Sequence, residues 1–204
     1  KFKVKHGKPV TLQYKSFDVA PQMAKVIERK PNVVALAATP DLASKVMKEL
    51  HRQGYKGRII GSQIFADPNA LGKYGSEANG LIFVAGFWWD KNEKTRAFTK
   101  KFAAENAKRG LAEKKIPHHT DAQGYDIVYL LKQAMEKANV TGDKSKLKAE
   151  RTAIRDALKG IRFNGITGNN VCFDKINDAQ LPGYIIQIND LKWTKIDEWA
   201  PEKC

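Results

Sequence analysis

Asn32-Val33-Val34-Ala35-Leu36-Ala37-Ala38-Thr39-Pro40-Asp41 reads as a buried strand that ends abruptly and hands over to a helix. The six apolar residues from Val33 to Ala38 follow one another without alternation, the pattern of a parallel strand covered on both faces. Thr39 and Asp41 bring capping side chains to the first helical turn, and Pro40 brings a pre-set φ. In open α/β sheets small ligands bind beyond the carboxyl ends of such strands. This junction is therefore the first place to look for a site.

The flanking sequence extends the pattern. Val10, Leu12 and Tyr14 alternate in the strand sense, and Asp18 and Pro21 open a helix. In that helix Val19, Met23, Val26 and Ile27 recur at helical spacing up to Pro31. Beyond Asp41 a second helix carries the stripe Ala43, Val46, Met47 and Leu50 to a stop at Gly54, and Arg58-Ile59-Ile60-Gly61 is a third strand. The order β-α-β-α-β with short links predicts an α/β fold, a parallel sheet flanked by helices. Right-handed crossovers set its successive strands side by side. Phe65 to Asn79 reads as a loop with one turn of helix, and Gly80 to Ala85 as a fourth strand.

After Gly86-Phe87-Trp88-Trp89-Asp90 the chain turns mainly helical. Asn92 caps a helix running to about Arg109, with Phe98 and Phe102 on one face. A second helix from about Thr120 to Asn139 has Ile127, Leu131, Ala134, Met135 and Ala138 as its expected buried stripe, widened by Val128 and Leu130, and a third spans about Lys148 to Leu158. Tyr184–Ile188 and Leu191–Thr194 close the chain as a hairpin about Asn189-Asp190. The middle helices carry apolar stripes but almost no sheet of their own. Their cover is either the first sheet or a segment outside this chain.

Bulk properties narrow the function classes. Among 204 residues, 42% are hydrophobic and 28% charged, a globular composition. The longest apolar stretch, Leu81 to Trp89, falls far short of the ~20 residues of a membrane-spanning helix. The net charge of +14 permits nucleic-acid binding. The lysines are scattered along nearly every predicted helix, however, with a denser cluster at Lys1, Lys3, Lys5 and Lys8. No zinc-finger spacing, helix-turn-helix pattern or RNA-binding signature accompanies them. Cys172 and Cys204 make neither a metal cluster nor a CxxC pair; they are either one disulfide in an oxidising compartment or two inert thiols. GxSxG, HExxH, Walker A and GxGxxG motifs are all absent, and Asp174-Lys175-Ile176-Asn177-Asp178 lacks the glycine and distal Glu of an EF-hand loop. No cofactor or metal is expected. The rival classes are an enzyme on an α/β scaffold and a basic nucleic-acid-binding domain. The first needs a convergent acid/base pair and the second a steep salt dependence.

Three stretches, VIERKPNVVALAATPDLASKVMKELHRQGYKGRIIGS, TDAQGYDIVYLLKQAMEKA and FNGITGNNVCFD followed by LPGYIIQINDLKW, carry a resemblance. In order and spacing the chain from about Val10 to Thr194 resembles the C-terminal portion of type I periplasmic solute-binding proteins, above all the branched-chain amino-acid receptors of ABC transporters. The resemblance implies two α/β lobes that trap a small solute and present it to a membrane permease, without chemistry. It implies a periplasmic, or extracytoplasmic and lipid-anchored, location. Residues 1–88 and 181–197 then form the sheet-containing second lobe, and 89–180 a mainly helical part of the first lobe whose N-terminal sheet is absent. The expectation that follows is a fragment of a longer precursor, or a chain completed by a missing N-terminal segment or partner chain.

The ligand contacts implied on this chain are Ala38 and Thr39 at the second strand's end, Gln63 and Phe65 after the third, Trp88 at the lobe crossing, and His119, Thr120 and Tyr125 at the start of the long helix. Thr39 offers a hydroxyl and helix-start amides to a carboxylate. Relatives that bind amino acids carry an acidic residue where Gln63 stands, to pair with the ligand's ammonium. A neutral Gln63 leaves such an ammonium without a countercharge, which shifts the reading toward an aromatic or organic acid. Strand alternation would aim Phe87 and Trp89 one way and Trp88 the other. His118 and His119 are expected to point apart, and Asp121 to cap the helix.

Overall fold

A computed structural model describes residues 4–200. Five strands form one sheet in the order β1-β2-β3-β4-β5, where β1 is Val33–Leu36, β2 Arg58–Gly61, β3 Ile82–Ala85, β4 Gly183–Asn189 and β5 Lys192–Trp199. The helices are α1 Ala20–Glu28, α2 Pro40–Arg52, α3 Glu93–Lys108, α4 His119–Lys137 and α5 Leu147–Lys159. By contact density the chain divides into two units. The first is Lys1–Val84 with Ile186–Ile196, and the second Ala85–Ile185 with Asp197–Cys204.

In the first unit β1 pairs in parallel with β2, and β2 with β3; of the expected β-α-β-α-β order the β1-α2-β2 part is present. The β1-α2-β2 crossover brings the apolar stripe of α2 into the core, where Ala43, Val46, Met47 and Leu50 are all buried. A ring cluster continues that core: Phe65 lies 5.3 Å from Tyr74 and 6.3 Å from Phe83, and Phe83 meets Trp193 edge-on at 5.2 Å.

Two expectations fail here, for one physical reason. Val10 to Tyr14 forms no strand, because a lone extended segment needs a ladder partner and none among the described residues pairs with it. Nor is β1 covered on both faces. Leu36, Ile59 and Phe83 are buried on one side of the sheet, while Val33, Ala35, Ile60 and Val84 on the other side are exposed. Val33 keeps 47% and Val84 46% of its surface. The uniform apolar run is present, but its second cover is not among the described residues. β1 also ends at Leu36, earlier than the apolar run does.

In the second unit α3 starts with a capping box. The Asn92 side chain accepts from the Thr95 amide at 3.0 Å, and Thr95 Oγ1 accepts from the Asn92 amide at 3.0 Å. Helix α4 buries part of the expected stripe, Ala134 and Leu130 with the half-buried Ala138, and two positions outside it. Ala122, Asp126, Leu130 and Ala134 face inward, the last two joining Ala157, Ile161, Phe163 and Val171 in one core. Ile127, Val128, Leu131 and Met135 are exposed instead, Val128 at 65%. Packing by α5 and the 161–171 segment selects the face with small residues, which lets backbones approach closely. The richer apolar face is left open. The β4–β5 hairpin turns at Asp190-Leu191, one residue later than expected, with φ of 49° and 54°. Cys172 is disulfide-bonded; Cys204 lies outside the described residues.

Candidate functional site

At the carboxyl end of β1 the chain passes through Ala37 and the half-buried Ala38 and Thr39 into α2. Thr39 is the N-cap residue with extended backbone (φ −60°, ψ 156°), yet its hydroxyl makes no capping hydrogen bond. The first intrahelical bond runs from the Ala43 amide to the Thr39 carbonyl at 2.8 Å. The Asp41 and Leu42 amides ahead of it are the helix-start donors that no earlier turn can satisfy. The expected Thr39 cap is thus corrected: Pro40 fixes the turn by its own φ, and the Thr39 hydroxyl stays available. Asp41 lies on the rim, 4.0 Å from the Lys73 ammonium.

Gln63, exposed, opens the short 3-10 turn Gln63–Ala66 that follows β2. Phe65, two residues on, is fully buried. Its ring fills the space over Gly61, where any side chain would collide with it. The structure gives this ring to the core, so the Phe65 side chain supports the turn from beneath. The neighbouring Tyr74 hydroxyl is buried without a hydrogen-bond partner among the described residues, and burial pushes its pKa upward.

The other four candidates belong to the second unit. β3 has ended at Ala85, so strand alternation does not govern 87–89. Trp88 and Trp89 stack on each other with ring centroids 4.0 Å apart, while Phe87 is buried edge-on against Phe98 at 6.1 Å. At the start of α4 the histidines do not point apart. Their rings stack at 4.0 Å, because His118 turns back to cap the helix. His118 Nδ1 accepts from the Thr120 amide at 3.3 Å, and the Asp121 carboxylate accepts from the His118 amide at 2.9 Å. His119 is buried, its Nδ1 has no hydrogen-bond partner among the described residues, and burial, followed by the neighbouring His118, pushes its pKa down to about 4. This imidazole is neutral at pH 7. Thr120 is exposed beside His118, and Tyr125 packs on Phe98 at 5.0 Å and on Tyr129 at 4.9 Å.

The residue that sequence reasoning missed is Asp126. Its buried carboxylate accepts from the Ile166 amide at 2.9 Å, the Thr167 amide at 2.8 Å and the Thr167 hydroxyl at 2.6 Å. It fastens the Gly165–Thr167 turn to α4, and a side chain at Gly165 would strike the carboxylate. The available signal was an acid spaced four residues from both Ala122 and Leu130, on the stripe that is in fact buried.

The family model for periplasmic binding proteins matches residues 3–192. Among solved structures, a leucine-binding protein from Thermotoga maritima is 18% identical with a TM-score of 0.75, over 93% of this chain and 51% of its own. A solute-binding protein of an ABC transporter from R. palustris, in complex with benzoate, is 20% identical with a TM-score of 0.72, over 93% and 49%. A branched-chain amino acid transporter substrate-binding protein from Streptococcus pneumoniae, in complex with isoleucine, is 18% identical with a TM-score of 0.69, over 91% and 49%. At these identities the likeness is one of fold. The chain spans about half the length of these structures. No curated protein matches it.

Proposed function

The chain belongs to the periplasmic binding protein family, and from that premise we propose that it is the solute-binding component of an ABC transporter. It captures a small carboxylate-bearing solute between two lobes and delivers it to a membrane permease. The observation that carries this reading is the start of α2. The Thr39 hydroxyl, which makes no capping bond, and the helix-start amides of Asp41 and Leu42, without partners among the described residues, lie just past the carboxyl end of a parallel strand. Such a set of donors suits a carboxylate. Exposed Gln63 offers an amide without charge, which favours an aromatic or organic acid over an amino acid with its ammonium. Ala38 flanks this site. Trp88, Thr120, Tyr125 and the neutral His119 are the contacts proposed from the second unit.

The proposed lobe assignment is 1–88 with 181–197 for the second lobe and 89–180 for the helical part of the first. The half-length match to relatives, the open sheet face and the exposed α4 stripe support completion by a segment or chain outside this sequence. The proposed location is outside the cytoplasm. No helix among the described residues is long and apolar enough to cross a membrane.

Amide chemical shifts on titration with benzoate and with isoleucine test the reading, because they register weak binding by a partial site. Benzoate is expected to move the Asp41, Leu42 and Gln63 amides more than isoleucine does, and Thr39→Ala to abolish the response. Shifts confined to other regions would refute it.

A further inference from the structure

A second concavity lies at the opposite end of the same strands. Because β1, β2 and β3 run parallel, their amino ends share one edge of the sheet, about 10 Å from the carboxyl ends over three residue rises. A cavity of about 490 Å³ opens at that edge. His51 from the last turn of α2, Lys56 from the α2–β2 link and Arg58 from the start of β2 line it, and no carboxylate does.

None of these three basic side chains makes a hydrogen bond or ion pair among the described residues. The contrast one residue away is direct. Arg52 is gripped by Glu49 at 2.6 Å, and that contact holds the Glu49 carboxyl down to about 2. Two side-chain amides in the wall have their oxygens engaged. The Asn79 oxygen already accepts from the Asp190 amide at 2.8 Å, and the Gln187 oxygen from Asn189 Nδ2 at 3.4 Å. Their NH₂ groups are what remain for an occupant. The Asn32 carbonyl is likewise taken, by the Arg58 amide at 3.0 Å. The charged groups of the wall are therefore all basic, and Val33, Ile59 and Leu81 add apolar atoms to its lining.

We propose that this cavity binds a phosphomonoester with a small apolar body. The two cationic side chains match a phosphate dianion, Arg58 supplying a planar fork of donors and Lys56 a point charge, and His51 adds a ring nitrogen beside them. The volume lies in the range of small-ligand pockets and exceeds what a bare phosphate fills, which leaves room for an organic part against the apolar lining atoms. The site is separate from the carboxyl-end junction at Thr39 and does not depend on the reading of that junction.

The test is a ¹H–¹⁵N shift titration of the whole chain with phenyl phosphate, inorganic phosphate and benzoate. Phenyl phosphate is expected to move the amides of 56–58 and 79–81 saturably, and inorganic phosphate to do so more weakly. Lys56→Ala and Arg58→Ala should each weaken phenyl phosphate about tenfold, with native spectra elsewhere, and Arg58→Gln provides a second variant if alanine disturbs β2. Lys115→Ala removes the same charge from an exposed loop and is expected to change affinity less than about twofold. Equal weakening by all three single-charge losses, or shifts scattered over the lysine-bearing helices, would show attraction to net charge only and overturn the proposal. So would benzoate moving 56–58 as strongly as phenyl phosphate, or no saturable response.

Discussion

The two faces of the first unit's sheet are made of the same kinds of residue and have opposite fates. Leu36, Ile59 and Phe83 are buried, whereas Val33, Ala35, Ile60 and Val84, interleaved with them on the same strands, stay in solvent. Helix α4 repeats the contrast in the second unit: Ala122, Leu130 and Ala134 face inward while Val128, Leu131 and Met135 face out. Hydrophobicity sets what a face is able to bury. Which face is buried depends on which cover the chain itself supplies. The open faces are those of a molecule whose relatives run to about twice this length.

The largest effect separates Phe83 from Val84. Phe83→Ala removes a fully buried ring from between Phe65 and Trp193 and is expected to cost about 3–5 kcal/mol in urea unfolding. Val84→Ala, one residue along and on the open face, should stay within about 0.5 kcal/mol. A Val84 loss as large as that at Phe83 would break the comparison, because it would mean that another molecule covers this face in solution.

Asp126 sharpens the same contrast on α4. Asp126→Ala strips the acceptor from two amides and a hydroxyl in the Gly165–Thr167 turn, an expected loss of about 2–4 kcal/mol, and the Ile166 and Thr167 amides should lose hydrogen-exchange protection. Val128→Ala, half a turn away on the open side, should be nearly neutral.

His119 supplies the pH arm. Its folded pKa of about 4 lies below the 6.5 of an unperturbed imidazole, so between those values the unfolded chain binds more protons. Stability from this group is complete above pH 6.5 and falls as pH drops toward 4, by on the order of 1–2 kcal/mol for a partly withdrawn ring. Unfolding free energies at pH 7.5 and 4.5 should show that loss, and His119→Gln should flatten it. An unchanged slope in the variant would assign the acid sensitivity elsewhere.

These positions also show what was legible in advance. The β1-α2-β2 crossover with its parallel pairing and the Asn92 cap follow from local pattern, and each is in the structure because its partners lie within the chain. The reading failed wherever a partner had to be supplied. Val10 to Tyr14 alternates like a strand, but alternation says nothing of whether a ladder neighbour exists. Of the α4 stripe expected at Ile127, Leu131, Ala134, Met135 and Ala138 with Val128 and Leu130, packing keeps Leu130, Ala134 and the half-buried Ala138 and adds Ala122 and an acid, Asp126. Asp126 was invisible because its three donors come from a turn some 40 residues away. At the candidate site, the strand-to-helix junction was legible from Thr39-Pro40. That the Thr39 hydroxyl is not spent on capping was not, since side-chain rotation leaves no mark in the sequence.

The smallest effect tests the comparison from a place where cover ought not to matter. Asp190 and Leu191 form the tip of the β4–β5 hairpin, both at positive φ. That geometry suits a type I′ turn, in which glycine at the second position is favoured and leucine is strained. Leu191→Gly relieves the strain, and since Leu191 is exposed it forfeits little burial. The expected outcome is a gain of about 1 kcal/mol, read as a melting temperature raised by about 2–4 °C. A loss instead would mean that the Leu191 side chain, open in this chain, is packed against something else in solution, and the hairpin tip would then join the faces that await a cover.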